Sequence, residues 1–121
     1  MNFKPVDWPT IAPRLFTKDV QGLVTFIRTV FGAEGEFNKD APTELRIGDS
    51  VLLVSDGGGA REPTTSCFYV YVTDTDSTYS RAISAGATSI EHPCDAFYGD
   101  RRAMIRDAWG NVWQIATYRG G

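Results

Sequence analysis

One histidine and two cysteines are the residues of this chain best suited to nucleophilic or proton-transfer chemistry. His92 stands immediately before Pro93, in a stretch that we expect to form a loop. A single histidine is more often a surface or hydrogen-bonded residue than a metal ligand. Ser/His/Asp and Cys/His systems each need an imidazole oriented beside the nucleophile. We therefore expect no covalent hydrolysis of either type.

The two thiols, Cys67 and Cys94, match one disulfide in number, but two cysteines do not form the framework of a disulfide-rich domain. Cys67 begins a strand-like run, CFYVYVT, at residues 67–73. We expect reduced thiols, with Cys67 buried as a small apolar group, because free cysteine often packs in that way. A reactive Cys67 on the inner face of a sheet is the alternative.

Large rings provide a second kind of chemistry, the binding of small organic molecules. Pockets for such molecules are mostly apolar, with a few fixed polar groups. The same rings can instead pack between a sheet and a helix, so their presence leaves both interpretations open. The rings concerned are Phe16, Tyr69 and Tyr71 in strand-like segments, and Phe97, Tyr98, Trp109 and Trp113 near the C-terminal end.

Two helices are predicted between these segments. Asp19 can cap the first helix and Gly32 can end it. Between them, apolar residues recur at helical spacing: Val20, Leu23, Val24, Ile27, Val30 and Phe31. A second, weaker helix is predicted from about Thr75 or Asp76 to Gly86, again with an acidic start and a glycine end.

The same order of predicted secondary-structure elements occurs twice along the sequence. A short strand precedes each helix, RLFT at residues 14–17 and CFYVYVT at residues 67–73. Each helix is followed by an extended piece and a hairpin, with turns at Gly48-Asp49 and at Gly110-Asn111. This repeat predicts an α+β fold of two βαβββ modules. One helix leaves a face of each sheet uncovered, so two such units can curl around a shared hollow.

We expect the modules to belong to one domain spanning residues 1–121. Module one covers about residues 9–56, a flexible connector covers about 57–65, and module two covers about 66–118. The length of 121 residues, with 42% hydrophobic and 22% charged residues, is ordinary for one soluble domain.

Charge and hydropathy exclude several classes of partner. A formal net charge of -3 gives no reason to expect nucleic acid, which requires a concentrated basic surface. No apolar run approaches the roughly 20 residues of a membrane span, and the first residues lack the order of a secretion signal. We therefore expect a cytoplasmic protein that binds neither nucleic acid nor membrane.

Four segments in this order resemble the vicinal oxygen chelate superfamily, in its glyoxalase/bleomycin-resistance-like branch. They are RLFTKDVQGLVTFIRTVFGAEG, ELRIGDSVLLVSD, YVYVTDTDSTYSRAISAGATS and FYGDRRAMIRDAWGNVWQIAT. The likeness extends from about Pro13 to Thr117. It implies paired βαβββ modules that form a cupped mixed sheet around a cavity, and a homodimer.

Metal-using members of that superfamily carry His or Glu on the inner strands. Counted from the helix caps and hairpin glycines, those four positions correspond here to Ala12, Cys67, Leu52 and Gln114. One thiol and one amide are insufficient for a divalent ion, because alanine and leucine donate nothing. We therefore expect no metal and no cofactor.

The resemblance also implies that the loop FYGDRR at residues 97–102 borders the cavity, which makes Asp100 and Arg101 candidate polar contacts. Adjacent opposite charges on an exposed loop can instead form only a solvated pair. The full set of expected ligand-binding residues is Phe16, Cys67, Tyr69, Phe97, Tyr98, Asp100, Arg101, Trp109, Trp113 and Gln114.

Three functions fit this set. The first is a metal-free protein resembling bleomycin-resistance proteins, which confers antibiotic resistance by sequestering an aromatic or cationic small molecule without catalysis. The second is an enzyme of the same superfamily: a glyoxalase-like lyase or isomerase, a dioxygenase, or a metal-free catalyst using Cys67, Tyr98 or Asp100 as acid or base. The third is an interaction module without a ligand. We favour the first.

Overall fold

The computed structural model describes residues 3–56 and 65–119, whose strands form two sheets. The chain divides into two compact units, Met1–Arg28 with Gly32–Thr64, and Thr29–Phe31 with Thr65–Gly121. The predicted connector lies outside the described residues, apart from Thr65. Among the described residues, no helix is long and apolar enough to cross a membrane.

The first unit contains a three-stranded sheet and most of helix α1. Its elements are β1 (Arg14–Phe16), α1 (Val20–Phe31), β2 (Thr43–Ile47) and β3 (Ser50–Ser55). β3 lies in the middle of the sheet, parallel to β1 and antiparallel to β2. The predicted hairpin turn at Gly48-Asp49 is confirmed, since these two residues join β2 to β3.

Helix α1 begins and ends where its capping residues predict. The Asp19 carboxylate accepts a hydrogen bond from the Gly22 N–H at 3.1 Å, which satisfies one of the free donors of the first turn. Gly32 follows the last turn with φ of 66°, the left-handed conformation that glycine adopts without strain. In the apolar stripe predicted from the sequence, the four central residues Leu23, Val24, Ile27 and Val30 are buried, whereas Val20 and Phe31 at its two ends are half-buried.

The second unit contains a four-stranded sheet and helix α2. Its elements are β4 (Cys67–Tyr71), α2 (Thr75–Ser84), β5 (Thr88–Asp95), β6 (Arg101–Arg106) and β7 (Val112–Thr117). The strand order is β4-β7-β6-β5, with only the β4–β7 pair parallel. Asp74 caps α2 by accepting a hydrogen bond from the Ser77 N–H at 3.1 Å.

Both sheets use the same topology, which confirms the predicted α+β repeat. In each, the first strand runs parallel to the last, and the last runs antiparallel to the strand before it. The two sheets differ in the segment that follows the helix. In the second sheet this segment is the full strand β5, whereas in the first it is a single bridge between Glu34 and Arg46 of β2. Gly35 follows the bridge with φ of 129°, outside the range of a regular strand, so the pairing does not extend.

His92 lies in strand β5 and not in a loop, so that part of the sequence prediction is wrong. β5 is an edge strand, and its register with β6 shifts between Glu91 and Cys94. Pro93 lacks a backbone N–H and is tolerated at such an edge. The Tyr79 hydroxyl lies 3.0 Å from Nδ1 of His92, so the imidazole is hydrogen-bonded to helix α2.

The second sheet has two different faces. Helix α2 packs against β5, β6 and β7. One face carries buried apolar residues, including Trp113, Ile105 and Ile115, and the Trp113 ring lies 4.7 Å from that of Phe68. The other, which we call the open face, carries Cys67, Tyr69 and Tyr71 of β4, Gln114 of β7, Arg102 and Met104 of β6, and Glu91 of β5. The division follows because successive side chains of a strand point to opposite faces.

A buried carboxylate organises the turn between β6 and β7. Asp107 accepts hydrogen bonds from the backbone N–H groups of Trp109 and Asn111, both at 2.9 Å. It also accepts one from Nε1 of Trp113 at 2.9 Å. Asn111 in turn accepts a hydrogen bond from the Ser66 N–H at 2.9 Å, directly before β4. The predicted turn at Gly110-Asn111 is confirmed, and its hydrogen bonds fix the starts of both β7 and β4.

We expect Asp107→Ala to lower the free energy of unfolding by about 3 kcal/mol, because several buried donors lose a charged acceptor at once. Urea denaturation followed by circular dichroism measures the change. Asp49→Ala, in the exposed turn of the first hairpin, is the matched control and should cost less than about 0.5 kcal/mol. Equal destabilisation by both variants would contradict this role for Asp107.

Candidate functional site

The loop between β5 and β6 positions the polar groups nearest the open face. It is closed by a hydrogen bond from the Ala96 N–H to the Asp100 carbonyl at 2.8 Å. Within it, the Gly99 N–H donates to the Ala96 carbonyl at 3.0 Å, and Gly99 has φ of 108°, a value that favours glycine. This tight turn fixes the backbone on both sides of Gly99, at Tyr98 and at Asp100.

Asp100 and three other side chains form one continuous chain of hydrogen bonds. The three come from β4, from β6 and from this loop. The Tyr69 hydroxyl donates to Oδ2 of Asp100 at 2.9 Å. The hydroxyl of Tyr98 lies 3.2 Å from that of Tyr69. Nη1 of Arg102 donates to the Tyr98 hydroxyl at 3.1 Å. We call these four residues together with Tyr71 the tyrosine–aspartate cluster.

Arg102 is held in the tyrosine–aspartate cluster by a second partner. Its Nε and Nη2 donate to the two carboxylate oxygens of Glu91 at 2.8 and 3.1 Å, a bidentate pair. The guanidinium carbon also lies 5.9 Å from the centre of the Tyr98 ring. Glu91 therefore balances the charge of Arg102, and the guanidinium fixes the orientation of Tyr98.

The cluster presents aromatic surface to solvent. The rings of Tyr69 and Tyr71 lie 5.3 Å apart, and the ring of Phe97 meets that of Tyr98 edge-on at 5.3 Å. Tyr71 is 62% exposed and Phe97 is fully exposed. Ring spacings in this range allow favourable aromatic pairing, and the outer faces are free to stack on a further aromatic group.

The cluster keeps the phenols of Tyr69 and Tyr71 protonated. Partial burial raises the pKa of Tyr69, and its hydrogen bonds to Tyr98 and Asp100 raise it further. The pKa of Tyr71 is raised by partial burial and by the negative charge of Asp100. Asp100 itself is buried, with only 4% of the residue exposed. This part of the open face therefore combines the protonated phenols of Tyr69 and Tyr71 with the buried side chain of Asp100.

The structure brings several of the predicted ligand-binding residues together. Tyr69, Tyr98 and Asp100 are directly hydrogen-bonded, and Phe97 packs on Tyr98. Gln114 lies on the open face, paired with Tyr69 in the β4–β7 register. Cys67 is on the same face at the start of β4, but the expectation that it is buried is wrong, because the thiol is free and exposed.

Arg101 is directed away from these residues. Its guanidinium donates to both carboxylate oxygens of Asp76 on α2, each at 3.0 Å, and to Asp95 at 3.3 Å. Arg102, the next residue of β6, occupies the open face instead. The sequence analysis missed Arg102 and Glu91, although side-chain alternation along β6, counted from the buried Ala103, could have identified Arg102.

Apart from Phe97, which packs on Tyr98, three predicted aromatic residues lie outside the tyrosine–aspartate cluster. Trp113 is fully buried on the opposite face of the sheet and donates its indole N–H to Asp107. Trp109 is half-buried within the turn that Asp107 holds. Phe16 lies on β1 in the first unit, with the Arg14 guanidinium 5.2 Å from the centre of its ring. The structure therefore assigns Trp113 to the core.

A cavity of about 540 Å³ lies in the first unit, near the N-terminal end of α1. Its lining includes Lys18, Phe37 and Asp40, but none of the residues predicted to bind a ligand. Its charged groups of both signs face solvent and give no clear preference for one ligand class.

The four positions expected to correspond to metal ligands do not fit a divalent ion. Ala12 and Leu52 have hydrocarbon side chains, and Leu52 is buried in the first sheet. Cys67 and Gln114 are on the open face of the second sheet, where they offer one thiol and one neutral amide. Within residues 3–56 and 65–119, no group of three or more His, Cys, Asp or Glu side chains is placed to hold a metal.

A family model covers nearly the whole chain. The model of the Glyoxalase/Bleomycin resistance protein/Dioxygenase superfamily matches residues 8–115. The chain belongs to this superfamily. It is also 27% identical over 124 residues to the uncharacterized protein Mb0911c of Mycobacterium bovis, covering 88% of this chain and 82% of that protein. The uncharacterized protein Rv0887c of Mycobacterium tuberculosis is 27% identical as well, with 73% of its length covered.

Solved structures show the same fold. TioX from Micromonospora sp. ML1 superposes with a TM-score of 0.77 at 23% identity, over 92% of this chain and 100% of that one. A lactoylglutathione lyase from Agrobacterium tumefaciens gives a TM-score of 0.69 at 22% identity, over 90% and 94%. These likenesses place the chain in the glyoxalase/bleomycin-resistance fold and, at such identities, extend no further than the fold.

The raised phenol pKa values lead to a test of the tyrosine–aspartate cluster. We expect Asp100→Asn to lower the pKa of Tyr69 and Tyr71, because the substitution removes a negative charge but keeps an oxygen acceptor. Spectrophotometric titration of phenolate absorbance at alkaline pH follows the shift. Asp76→Asn, which removes a carboxylate bound to Arg101, is the control and should leave the tyrosine titration unchanged.

Linkage gives the sign of the accompanying change in stability. A phenol pKa raised in the folded state stabilises the native protein below the ordinary value of 10.0. That contribution is lost as pH rises through the folded-state pKa. An unshifted tyrosine titration in Asp100→Asn would contradict the electrostatic link between Asp100 and the phenols.

Proposed function

We propose that this superfamily member binds an aromatic or cationic small molecule on the open face of its second sheet, without needing a metal ion. The observation that carries the proposal is the tyrosine–aspartate cluster. In it, exposed rings surround a buried carboxylate, and hydrogen bonds hold two of the phenols in place. Sites for small organic molecules combine apolar surface with a few fixed polar groups in this way.

Preorganisation supports binding by the tyrosine–aspartate cluster. Tyr69 is tied to Asp100, and Tyr98 is tied to Arg102, which Glu91 holds in turn. Side chains that are already ordered lose little conformational entropy when a ligand arrives. The rings therefore offer contact area at a low entropic cost, which an equally exposed but unrestrained set of aromatic residues would not.

Independence from metal follows from the donor set. The two carboxylates of this region are already engaged, Glu91 with Arg102 and Asp100 with Tyr69. The phenols, the amide of Gln114 and the single thiol of Cys67 are poor ligands for a divalent ion. Stacking, charge and hydrogen bonding remain as the means of recognition. We include in the proposal the expectation of a cytoplasmic homodimer that sequesters its ligand, with an aromatic antibiotic as one example of such a ligand.

Catalysis is the competing proposal, and one observation favours it. The Asp100 carboxylate is buried and accepts a hydrogen bond from Tyr69 at 2.9 Å, an arrangement that could place a proton acceptor beside a bound substrate. Turnover of a bound compound, abolished by Asp100→Asn while binding persists, would favour the enzyme over the sequestering protein.

We expect aromatic amines or aromatic antibiotics to raise the melting temperature, because a ligand that binds only the folded state stabilises it. Tyr71→Ala should weaken the dissociation constant of such a compound by about 3- to 10-fold, the equivalent of one lost aromatic contact. Isothermal titration calorimetry measures this change. Tyr71 suits the test because it is largely exposed, so its removal should disturb the fold little.

Ile83→Ala is the matched control, since Ile83 is a partly exposed residue of helix α2. It should bind the compound with wild-type affinity. Two results would contradict the proposal: no shift in melting temperature with any compound of these classes, or equal affinities of wild type and Tyr71→Ala. A stoichiometric divalent ion bound through three or more side chains would contradict its metal-free part.

A further inference from the structure

We propose that the tyrosine–aspartate cluster selects ligands that carry a protonated or quaternary nitrogen and rejects anionic ones. The basis is the direction of its hydrogen bonds, together with an unbalanced negative charge at Asp100. This inference rests on the proposed function, because it names the class of ligand bound at the same site. The proposed function allows a ligand that is either aromatic or cationic, whereas this inference predicts a ligand that is both.

The chain of hydrogen bonds can run in only one direction. A guanidinium has no acceptor, so Arg102 must donate to the oxygen of Tyr98. A carboxylate has no donor, so the hydroxyl hydrogen of Tyr69 goes to Asp100. Each phenol has one hydrogen. The contact between the two hydroxyls is therefore made by Tyr98 donating to Tyr69.

The consequence is that the chain has no phenol hydrogen left for a ligand. Both hydroxyl hydrogens are used internally, and what remains toward a ligand is oxygen lone pairs and ring faces. An anion needs donors, and it finds none on these two phenols. The hydroxyl of the third phenol, Tyr71, also interacts with the Asp100 carboxylate. An ammonium group brings its own donors and is attracted to the negative face of an aromatic ring.

Charge acts in the same direction. The positive charge of Arg102 is balanced by the carboxylate of Glu91, its bidentate partner. The Asp100 carboxylate interacts with neutral phenols, so it adds a net negative charge to this end of the open face. The other basic residue on this face of β6, Arg106, is four residues from Arg102, which corresponds to about 13 Å along a strand.

Three probes with one ring system separate charge from stacking: naphthylmethylammonium, naphthylmethanol and naphthoate. On the wild-type protein at neutral pH, we expect the ammonium compound to bind about 10-fold or more tightly than the alcohol. Naphthoate should bind more weakly than the alcohol. Calorimetry gives the three dissociation constants, and NMR shifts of the Tyr69, Tyr71 and Tyr98 ring signals show whether binding occurs at the tyrosine–aspartate cluster.

Asp100→Asn tests the charge directly, since it keeps an acceptor for Tyr69. In this variant we expect the ammonium compound and the alcohol to bind about equally, within about 3-fold, the alcohol at near its wild-type affinity. Asp76→Asn removes an equal charge beside Arg101 on α2, so it should preserve the wild-type ranking. The ranking on the wild-type protein decides the question even if Asp100→Asn does not fold.

The outcomes distinguish this inference from the proposed function. If all three probes bind at the tyrosine–aspartate cluster with similar affinity, or naphthoate binds best, the proposed binding function stands and the inference is overturned. If none of the probes binds, the inference is overturned, and the proposed function falls with it when aromatic amines and aromatic antibiotics also leave the melting temperature unchanged. If the ammonium compound is preferred and the preference survives in Asp100→Asn, charge at Asp100 is not the cause and the inference fails.

Discussion

The hydrogen bond from Tyr69 to Asp100 is the interaction on which the candidate site depends. It joins β4 to the loop before β6, two segments that belong to different parts of the sheet because β7 lies between β4 and β6. It directs the Tyr69 hydroxyl hydrogen to Asp100, so the Tyr69 oxygen is left to accept the hydrogen bond by which Tyr98 and Arg102 connect to β4. The bond also places the buried Asp100 carboxylate beside the phenols of Tyr69 and Tyr98, which sets both the charge and the donor balance of the surface.

Much of the fold could be predicted from local signals. Asp19 and Gly32 mark the ends of α1 because capping depends on a few adjacent atoms, and the glycine turns mark the hairpins for the same reason. The strand containing His92 was missed because Pro93 is typical of loops, and its tolerance at a sheet edge depends on which strand lies beside it. The single bridge at Glu34 likewise depends on pairing that a local pattern does not record.

The site was harder to predict than the fold, because its residues are sorted by which face of a strand they occupy. The sequence indicated the FYGDRR loop through a family resemblance, but a one-residue difference in alternation decides between Arg101, paired with Asp76, and Arg102, bonded to Tyr98. Trp113 has the residue type expected of a binding ring, yet Asp107 holds its indole in the core. Residue type identified the candidates, whereas strand register decided which of them meet.

The central claim is that the open face of the second sheet binds an aromatic ligand without a metal. A crystal structure with bound naphthylmethylammonium tests it most directly. The account predicts the ligand ring against Tyr71 or Tyr98, with its nitrogen within hydrogen-bonding distance of Asp100 or a phenol oxygen. A ligand bound elsewhere, or held through a divalent ion with three protein ligands, would contradict it.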